Sequence, residues 1–446
     1  MTTFICACAA LLAAGDHAGN WPVFLGPNVL SVDAAELPTE WSPTRNVAWK
    51  TKLSGYGQSS PVVWGDHVYV TTVEGPMKDV CRVAAIDMAT GVERWSAEFA
   101  ACTKVTNNNY VSRAAPTPAV DADGVVVFFE GGNVVALGHD GHERWTRELV
   151  ADFGAIKSNH GLASSVAQDA ERVFVWVERE ESPYLLALWK SSGDTAWKVD
   201  GPGATAWSSP SLLEVEGRTQ LVLSASGSLT SHDAATGRRL WRLEGLSGNT
   251  SPTPRAVGDG KLLVGATVGR GESGGGGAAA SNGLVRIASQ GDEFSTEYVW
   301  RCKRATSSFG SPAAHAGLAY FVNATGVLFC LDLETGEEVY AERIADSIWA
   351  TPLAVGDRIY FFGHDGTTTV VAAGREFKKL AENRLWQEDD VPEGPAATPS
   401  SDGKGLPPQS SHVLYAAAAV PGALLMRRGD TLYCVRDLEG TVHAAD

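Results

Sequence analysis

The chain has 446 residues, of which 44% are hydrophobic and 20% are charged, and its formal net charge is −16. Because phosphate binding needs a basic surface, this acidity argues against a nucleic-acid partner. The 48 glycines, the 14 tryptophans and many short β-rich runs favour an all-β chain, and no apolar run reaches the roughly 18–20 residues of a transmembrane helix.

Residues 1–19 read MTTFICACAALLAAGDHAG and contain an apolar stretch from Phe4 to Ala14. The stretch ends in small residues, as the core and cleavage site of a signal peptide do, although no Lys or Arg precedes it. The letters ICAC, which end at Cys8, also resemble a lipoprotein box. We therefore predict an exported protein of the periplasm or cell envelope, and leave open whether it is anchored by a lipid.

Residues 20–45 are predicted to form an N-terminal arm. The arm carries Trp21, Phe24 and Trp41, large aromatic residues that need a surface to cover them. We expect these three side chains to pack against the rim of the domain that follows.

One phrase recurs along the rest of the chain: a polar turn, often with Thr-Gly, then charged residues and a large aromatic. Examples are AIDMATGVERW at 85–95 and SHDAATGRRLW at 231–241. The spacing of about 40–60 residues is that of propeller blades. A large flat ring that ends an outer strand would fill the wedge against the next blade. The predicted docking aromatics are Trp49, Trp95, Trp145, Trp197, Trp241, Trp300, Tyr340 and Trp386.

A second phrase of small residues, often with proline, opens an apolar strand ahead of each aromatic. It reads SSPVVWGDHVYVTT from residue 59 and ATPLAVGDRIYFFG from residue 350. The Gly-Asp turns inside it supply the positive φ angles that tight hairpins require. Each unit therefore contains four antiparallel strands, which is the content of one propeller blade.

The two ends of the chain complete one another. The unit that ends at Trp49 lacks the three strands that come before the aromatic strand in other units. The last unit, LYAAAAVPGALLMRRGDTLYCVR from residue 414, lacks the aromatic strand itself. Joining them makes an eighth blade and removes a free sheet edge. We predict one monomeric eight-bladed β-propeller over 46–440, with seven blades as the alternative, and flexible insertions at 269–283 and 387–411.

The cysteines beyond the predicted signal peptide form no C-x-x-C motif, so a zinc or redox site has no support. In an exported protein, Cys81 and Cys102 could form a disulfide across one hairpin region. Five free thiols that act as small apolar residues are the alternative, and both remain open. The five are Cys81, Cys102, Cys302, Cys330 and Cys434.

The AxDxxTGxxxW phrase with its SSP inner strand resembles the tryptophan-docking repeat of pyrroloquinoline-quinone-type propellers, over roughly residues 46–436. That superfamily includes quinoprotein alcohol dehydrogenases and a propeller lipoprotein of the machine that assembles outer-membrane proteins. The resemblance implies the eight-bladed scaffold. The quinone enzymes carry two adjacent cysteines and calcium-holding carboxylates, and this chain has no Cys-Cys pair. We therefore expect no cofactor, neither pyrroloquinoline quinone nor calcium.

Loops that enter the innermost strands of a propeller converge on the central axis at one face. Their aromatic, amide, imidazole and guanidinium groups suit a flat or sugar-like ligand, and equally suit a peptide or protein loop. A third interpretation is that these residues plug the channel. The candidate ring residues are Tyr56, Gln58, Tyr110, Arg113, Asn159, His160, Trp207, Asn249, Phe309 and Trp349.

No catalytic or metal-binding residue is predicted. His160 could act as a general base, but the sequence assigns it no nucleophile or carboxylate partner. Asp152 and Asp346 are the acids nearest to the ring, too few for a calcium ion. The favoured function is a non-catalytic exported scaffold for a protein or cell-envelope component. A quinone-dependent dehydrogenase and a glycan or small-molecule binding module remain the alternatives.

Overall fold

The repeated phrases fold into four-stranded antiparallel sheets, eight of them among the residues that the structure describes. The structure is a computed structural model. It describes residues 19–27, 32–107, 112–158, 160–202, 207–225, 227–246, 251–267, 276–307, 309–344, 347–363, 365–386 and 414–438.

The first four blades follow one another along the chain. Blade 1 contains β2 (Val62–Trp64), β3 (His67–Glu74), β4 (Val80–Asp87) and β5 (Glu93–Ala100). Blade 2 contains β6 (Ala119–Asp121), β7 (Gly124–Phe128), β8 (Asn133–Leu137) and β9 (Glu143–Glu148). Blade 3 contains β10 (Ala167–Gln168), β11 (Arg172–Val177), β12 (Tyr184–Trp189) and β13 (Thr195–Asp200). Blade 4 contains β14 (Ser211–Val215), β15 (Arg218–Ala225), β16 (Ser228–Asp233) and β17 (Arg239–Glu244).

The next three blades repeat the pattern. Blade 5 contains β18 (Arg255–Ala256), β19 (Lys261–Val264), β20 (Gly283–Gln290) and β21 (Glu293–Arg301). Blade 6 contains β22 (Ala313–His315), β23 (Leu318–Val322), β24 (Val327–Asp332) and β25 (Glu338–Arg343). Blade 7 contains β26 (Leu353–Val355), β27 (Arg358–Phe362), β28 (Thr367–Ala372) and β29 (Lys379–Arg384). Two short helices, α1 (Leu149–Phe153) and α2 (Gly276–Ala279), and a 3₁₀ turn (Ala34–Glu36) interrupt the strands.

Blade 8 is built from both ends of the chain. Its sheet order is β1 (Val47–Lys52), β32 (Thr431–Val435), β31 (Ala423–Arg428) and β30 (Leu414–Val420). Strand β1 pairs antiparallel with β32, so that Trp49 lies opposite Cys434 and Lys50 opposite Tyr433. This pairing closes the ring, and it confirms the predicted all-β, eight-bladed propeller whose last blade is shared by the termini.

The recurring aromatics dock onto the glycine-containing turn that precedes the last strand of the following blade. Trp145 donates its indole N–H to the carbonyl of Lys190 at 2.7 Å. Gly193 of the same turn lies flat against the ring, where a Cβ atom would come within 2.6 Å of it. Glycine is required there because it provides both the space and a positive φ. The same indole-to-carbonyl bond joins Trp49 to Met88, Trp95 to His139, Trp197 to Ala234 and Trp300 to Leu333.

The remaining aromatics pack in other ways. Trp241 donates at 2.7 Å to the side-chain oxygen of Gln220 in its own blade, and the following blade has no Thr-Gly turn between β20 and β21. Trp386 lies beneath the guanidinium of Arg428, which is 4.5 Å from the ring centre. Tyr340 meets Phe377 edge to face, with ring centres 5.7 Å apart.

A belt of hydrogen bonds joins the first residues of the inner strands. The backbone N–H of Ser60 donates to the hydroxyl of Thr117 at 2.9 Å, and Thr117 donates in the same way to Ser165 at 3.0 Å. The small-residue phrase therefore has a structural reason: its hydroxyl oxygen accepts a hydrogen bond from a buried backbone N–H of the neighbouring blade. The belt continues through Ser209, Thr253 and Ser311 to Thr351.

The apolar core lies in layers between adjacent blades. Val126 and Phe128 of blade 2, for example, form one fully buried cluster with Val175 and Leu186 of blade 3. Side chains alternate along each strand between the two neighbouring layers, as the pleat of a sheet requires. Because no blade can bury both of its faces alone, the blades stabilise one another around the ring.

The start of the arm lies against the inner strands rather than on the rim, which differs from the expectation for Trp21. The backbone of Trp21 exchanges two hydrogen bonds with Val63 of β2, and the carbonyl of Pro22 accepts from the N–H of Val120 in β6. The next residues continue to blade 5, where Arg255 donates to the carbonyl of Leu25 at 3.4 Å. Trp41 lies farther out, where it stacks on Tyr360 of blade 7. The inner strand of each blade is an edge of its sheet and has backbone groups available for hydrogen bonds. The arm follows the inner strands because its backbone bonds to these groups.

The predicted insertions fall largely outside the described residues. Within 269–283, residues 276–283 are described, and they form α2 and the first residue of β20. Residues 387–411 lie outside the described residues. Among those described, no helix is long and apolar enough to cross a membrane.

Candidate binding site at the axial face

The first strand of each blade begins at the face where the second strand ends, because the two strands are antiparallel. We call this end of the channel the axial face. The predicted ring residues that the structure describes lie just ahead of first strands, at Tyr56, Gln58, Arg113, His160, Trp207, Phe309 and Trp349. Tyr110, Asn159 and Asn249 lie outside the described residues.

Three ring residues of blades 1 and 2 form one packed unit. The Arg113 guanidinium lies over the Tyr56 ring, 3.5 Å from its centre, and the backbone N–H of Arg113 donates to the Gln58 side-chain oxygen at 2.9 Å. Arg113 is only 2% exposed, and burial raises the pKa of the Tyr56 hydroxyl. These groups join the two blades, so Arg113 offers a ligand very little surface.

The other described ring residues form two aromatic pairs. His160 meets Trp207 edge to face with ring centres 5.6 Å apart. Phe309 meets Trp349 in the same manner at 4.9 Å, and Phe309 is 42% exposed, which is unusual for a large apolar side chain. The accessible part of the described ring therefore contains aromatic rings, one imidazole and the partly exposed Gln58 amide.

Sequence reasoning missed a buried arginine that joins blade 8 to blade 1. Arg427 donates to the hydroxyl of Ser59 at 2.6 Å, to the carbonyl of Thr71 at 2.7 Å and to the carbonyl of Gly429 at 2.9 Å. Burial lowers the pKa of its guanidinium to about 9. The signal in the sequence was a pair of arginines, at 427–428, in a strand that is otherwise apolar.

A buried ion pair near the same face was also missed. The ammonium of Lys78 donates to Glu130 at 2.9 Å and also to the carbonyl of Ser112. Both Glu130 oxygens accept from the backbone N–H of Ala114, at 3.0 and 3.1 Å. Because every charge in this group is paired, it supports the loop that carries Arg113.

Blade 3 places a carboxyl at the equivalent position without such partners. Glu178 is 3% exposed, and neither of its oxygens has a hydrogen-bond partner among the described residues. Burial raises the pKa of this carboxyl well above its usual range. Burial therefore favours the neutral form of this carboxyl.

The expectation that the chain binds no calcium–quinone cofactor stays a prediction. Calcium takes six to eight oxygen ligands, several of them carboxylates. In the described part of the chain, no group of three or more His, Cys, Asp or Glu side chains could hold a metal ion. Asp152 pairs with Arg147 at 2.6 Å, and Asp346 lies outside the described residues.

Cys81 and Cys102 are free thiols in this structure, and the register places Phe99, three residues from Cys102, opposite Cys81. Burial raises the pKa of the Cys102 thiol to about 11 and raises that of Cys81 further. The disulfide between them therefore stays a prediction.

Comparison with known proteins agrees with this architecture. The family model described as outer membrane protein assembly factor BamB matches residues 12–175, 139–291 and 259–431. No curated protein sequence matches the chain significantly.

Solved structures show the same fold at low identity. BamB from Moraxella catarrhalis has a TM-score of 0.57 and 13% identity, covering 87% of this chain and 99% of that one. Quinohemoprotein alcohol dehydrogenase from Comamonas testosteroni has a TM-score of 0.59 and 13% identity, covering 94% and 80%. The computationally designed Ika8 protein has a TM-score of 0.56 and 12% identity, covering 86% and 98%.

The three overlapping matches of the family model together extend over most of the sequence, and they follow the repeat that the structure resolves into blades. The chain therefore belongs to the family of pyrroloquinoline-quinone-like β-propellers described as outer membrane protein assembly factor BamB.

Proposed function

We propose that this protein is a non-catalytic, exported scaffold whose axial face binds a protein component of the cell envelope. The observation that carries the proposal is the aromatic pair of Phe309 and Trp349, which lies at the channel entrance with Phe309 42% exposed. Large aromatic side chains at a rigid surface are the usual anchors of protein interfaces. The backbone around the pair is held by the hydrogen bond from Ser311 to Thr351 at 3.0 Å, so the anchors are preorganised.

Three further observations support a scaffold over a quinone enzyme. Membership of a family described as an assembly factor makes a protein partner the first expectation. The alcohol dehydrogenase among the similar structures shares only 13% identity, which supports the fold and not the activity. The axial face supplies aromatic rings and paired charges, which suit recognition better than acid–base chemistry.

The proposal is tested by site-specific photo-cross-linking in cells. A benzoylphenylalanine at position 309 is expected to form an adduct with an envelope protein. The matched control is position 189, because Trp189 has a similar exposure of 38%. It ends the third strand of blade 3 and so lies at the opposite face.

Adducts at position 309 that are absent at 189, and that disappear in a Trp349→Ser background, support the proposal. No adduct at 309, or equal adducts at both positions, would contradict it. Stoichiometric binding of pyrroloquinoline quinone with calcium would favour the enzyme alternative. Quenching of fluorescence by oligosaccharides that is lost in Trp349→Ala would favour the glycan alternative.

A further inference from the structure

The arm and the inner strands of blades 5 to 8 enclose a cavity of about 330 Å³ beneath the axial face. Trp21, Phe24 and Leu25 of the arm form one wall. The opposite wall follows β26 from Thr351 to the turn at Gly356. This volume is at the lower end of the range for small-molecule sites. Most of the lining residues are apolar, while polar atoms supply slightly more than half of the exposed lining surface.

One guanidinium lies in this lining. Arg255 lines the cavity, and its hydrogen bond to the carbonyl of Leu25, at 3.4 Å, uses one of the five N–H groups of the side chain. The described lining contains no aspartate or glutamate, and Arg255 forms no ion pair among the described residues. The surrounding protein lowers the pKa of Arg255 to about 10, so the group is still cationic at neutral pH.

The repeat itself shows that this arginine is exceptional. The comparison uses the residue two positions after the belt residue in each blade. The strand register places this residue at the same point of every inner strand. Seven blades carry an apolar residue or a serine there, and blade 5 alone carries a charge. The seven are Val62, Ala119, Ala167, Ser211, Ala313, Leu353 and Ala418.

Arg255 is half-buried without a counter-charge, and the scaffold does not need this cation, since seven blades omit it. A carboxylate would satisfy the free N–H groups with two parallel hydrogen bonds, a geometry that arginine matches and lysine does not. The apolar walls formed by Trp21, Phe24 and Leu353 would then cover a hydrocarbon body. The volume suits a ligand of small size.

We propose that this cavity is a binding site for a small carboxylate with an apolar body, such as a medium-chain fatty acid or an aromatic acid, and that Arg255 binds the carboxylate. The site is separate from the proposed protein-binding function of the axial face. Either proposal can fail without the other.

The test uses isothermal titration calorimetry of the full chain with octanoate and benzoate, each compared with its neutral amide. We expect one site per chain, with the amide bound at least tenfold more weakly than the carboxylate. Arg255→Gln should weaken carboxylate binding at least tenfold and leave amide binding unchanged. Arg286→Gln, an exposed arginine of the same blade, should change nothing.

A second variant tests the cavity without removing the charge. Phe24→Ala removes part of the apolar wall and should weaken octanoate at least fivefold while Arg255 is retained. Without ligand, Arg255→Gln should melt at the wild-type temperature or above it. Failure of both carboxylates to bind, binding of inorganic sulfate only, or equal affinity in wild type and Arg255→Gln would overturn the proposal.

Discussion

Glu130 of blade 2 and Glu178 of blade 3 occupy equivalent positions but have different partners. Each lies four residues after the residue of the second strand that pairs with the equivalent residue of the first strand. Glu130 meets the Lys78 ammonium at 2.9 Å, whereas Glu178 has no hydrogen-bond partner among the described residues. The two carboxyls therefore allow a direct comparison of a paired and an unpaired buried acid in one scaffold.

The first prediction compares Glu130→Met with Glu178→Met. The change at 130 should lower the free energy of unfolding by about 3–5 kcal/mol, because it leaves the Lys78 ammonium buried without a counter-charge. The change at 178 should raise it by about 1–3 kcal/mol, because it removes an unsatisfied buried polar group. Calorimetric unfolding at pH 7 checks both values, and equal effects at the two positions would contradict the explanation.

The second prediction concerns pH. The pKa of Glu178 is raised by burial above its unfolded value of 4.5, so the folded protein holds this proton over a pH range in which the unfolded chain releases it. The contribution of this group to stability is thus fully present below pH 4.5 and is lost as the pH rises toward the folded pKa. The stability difference between Glu178→Met and wild type should therefore increase from pH 4.5 to 8. A stability difference that stays constant from pH 4.5 to 8 would refute this prediction.

The third prediction tests the docking of the tryptophans. Gly193 and Gly217 have nearly equal φ angles of 75° and 77°, but only Gly193 lies against an indole ring. Alanine should cost about 1–2 kcal/mol at either position because of the left-handed backbone. At 193 an additional ~1–3 kcal/mol is expected from the clash with Trp145. Thermal unfolding of both variants gives the difference, and similar losses would argue against the docking role.

The fourth prediction tests the belt with two buried serines. The Ser209 hydroxyl accepts the backbone N–H of Ser165 at 3.0 Å, whereas the Ser60 hydroxyl has no partner among the described residues. Ser209→Ala should lower the free energy of unfolding by about 1–3 kcal/mol, because it leaves a buried N–H unsatisfied. Ser60→Ala should cost less. If Ser60→Ala proved the more damaging of the two, the belt would not be a source of stability.

The fifth prediction concerns the thiols. Cys102 is half-buried, whereas Cys81, Cys302, Cys330 and Cys434 are buried. Iodoacetamide should therefore modify Cys102 first among these five in the native protein. Its rate at pH 8 should be at least tenfold below that of an unperturbed cysteine, since burial raises its pKa to about 11 and only the thiolate reacts. If peptide mapping without reduction detected a Cys81–Cys102 disulfide, the Cys102 thiol would not be free to react, and the expected order of modification would be wrong.

The candidate ring could be predicted only in part. Phe309 and Trp349 form an aromatic pair at the axial face, and such residues are recognisable because they directly precede each small-residue phrase. Arg113 precedes the same phrase but lies buried on Tyr56, at 2% exposure. Position in the repeat indicates which loop a residue belongs to, but the conformation of each loop decides whether its side chain reaches solvent.

The blade number, the Thr-Gly turns and the closure by the two termini were all predictable from the order of the residues. They were predictable because hydrogen bonds within each of blades 1 to 7 join residues close in sequence, so each of these blades repeats a local pattern of strands and turns. The closure followed from counting incomplete units. The folded chain was needed to show that Trp21 lies on Val63 and that Arg255 meets Leu25, 230 residues away. Such contacts depend on how the arm crosses the finished channel, and no local period of the sequence encodes that path.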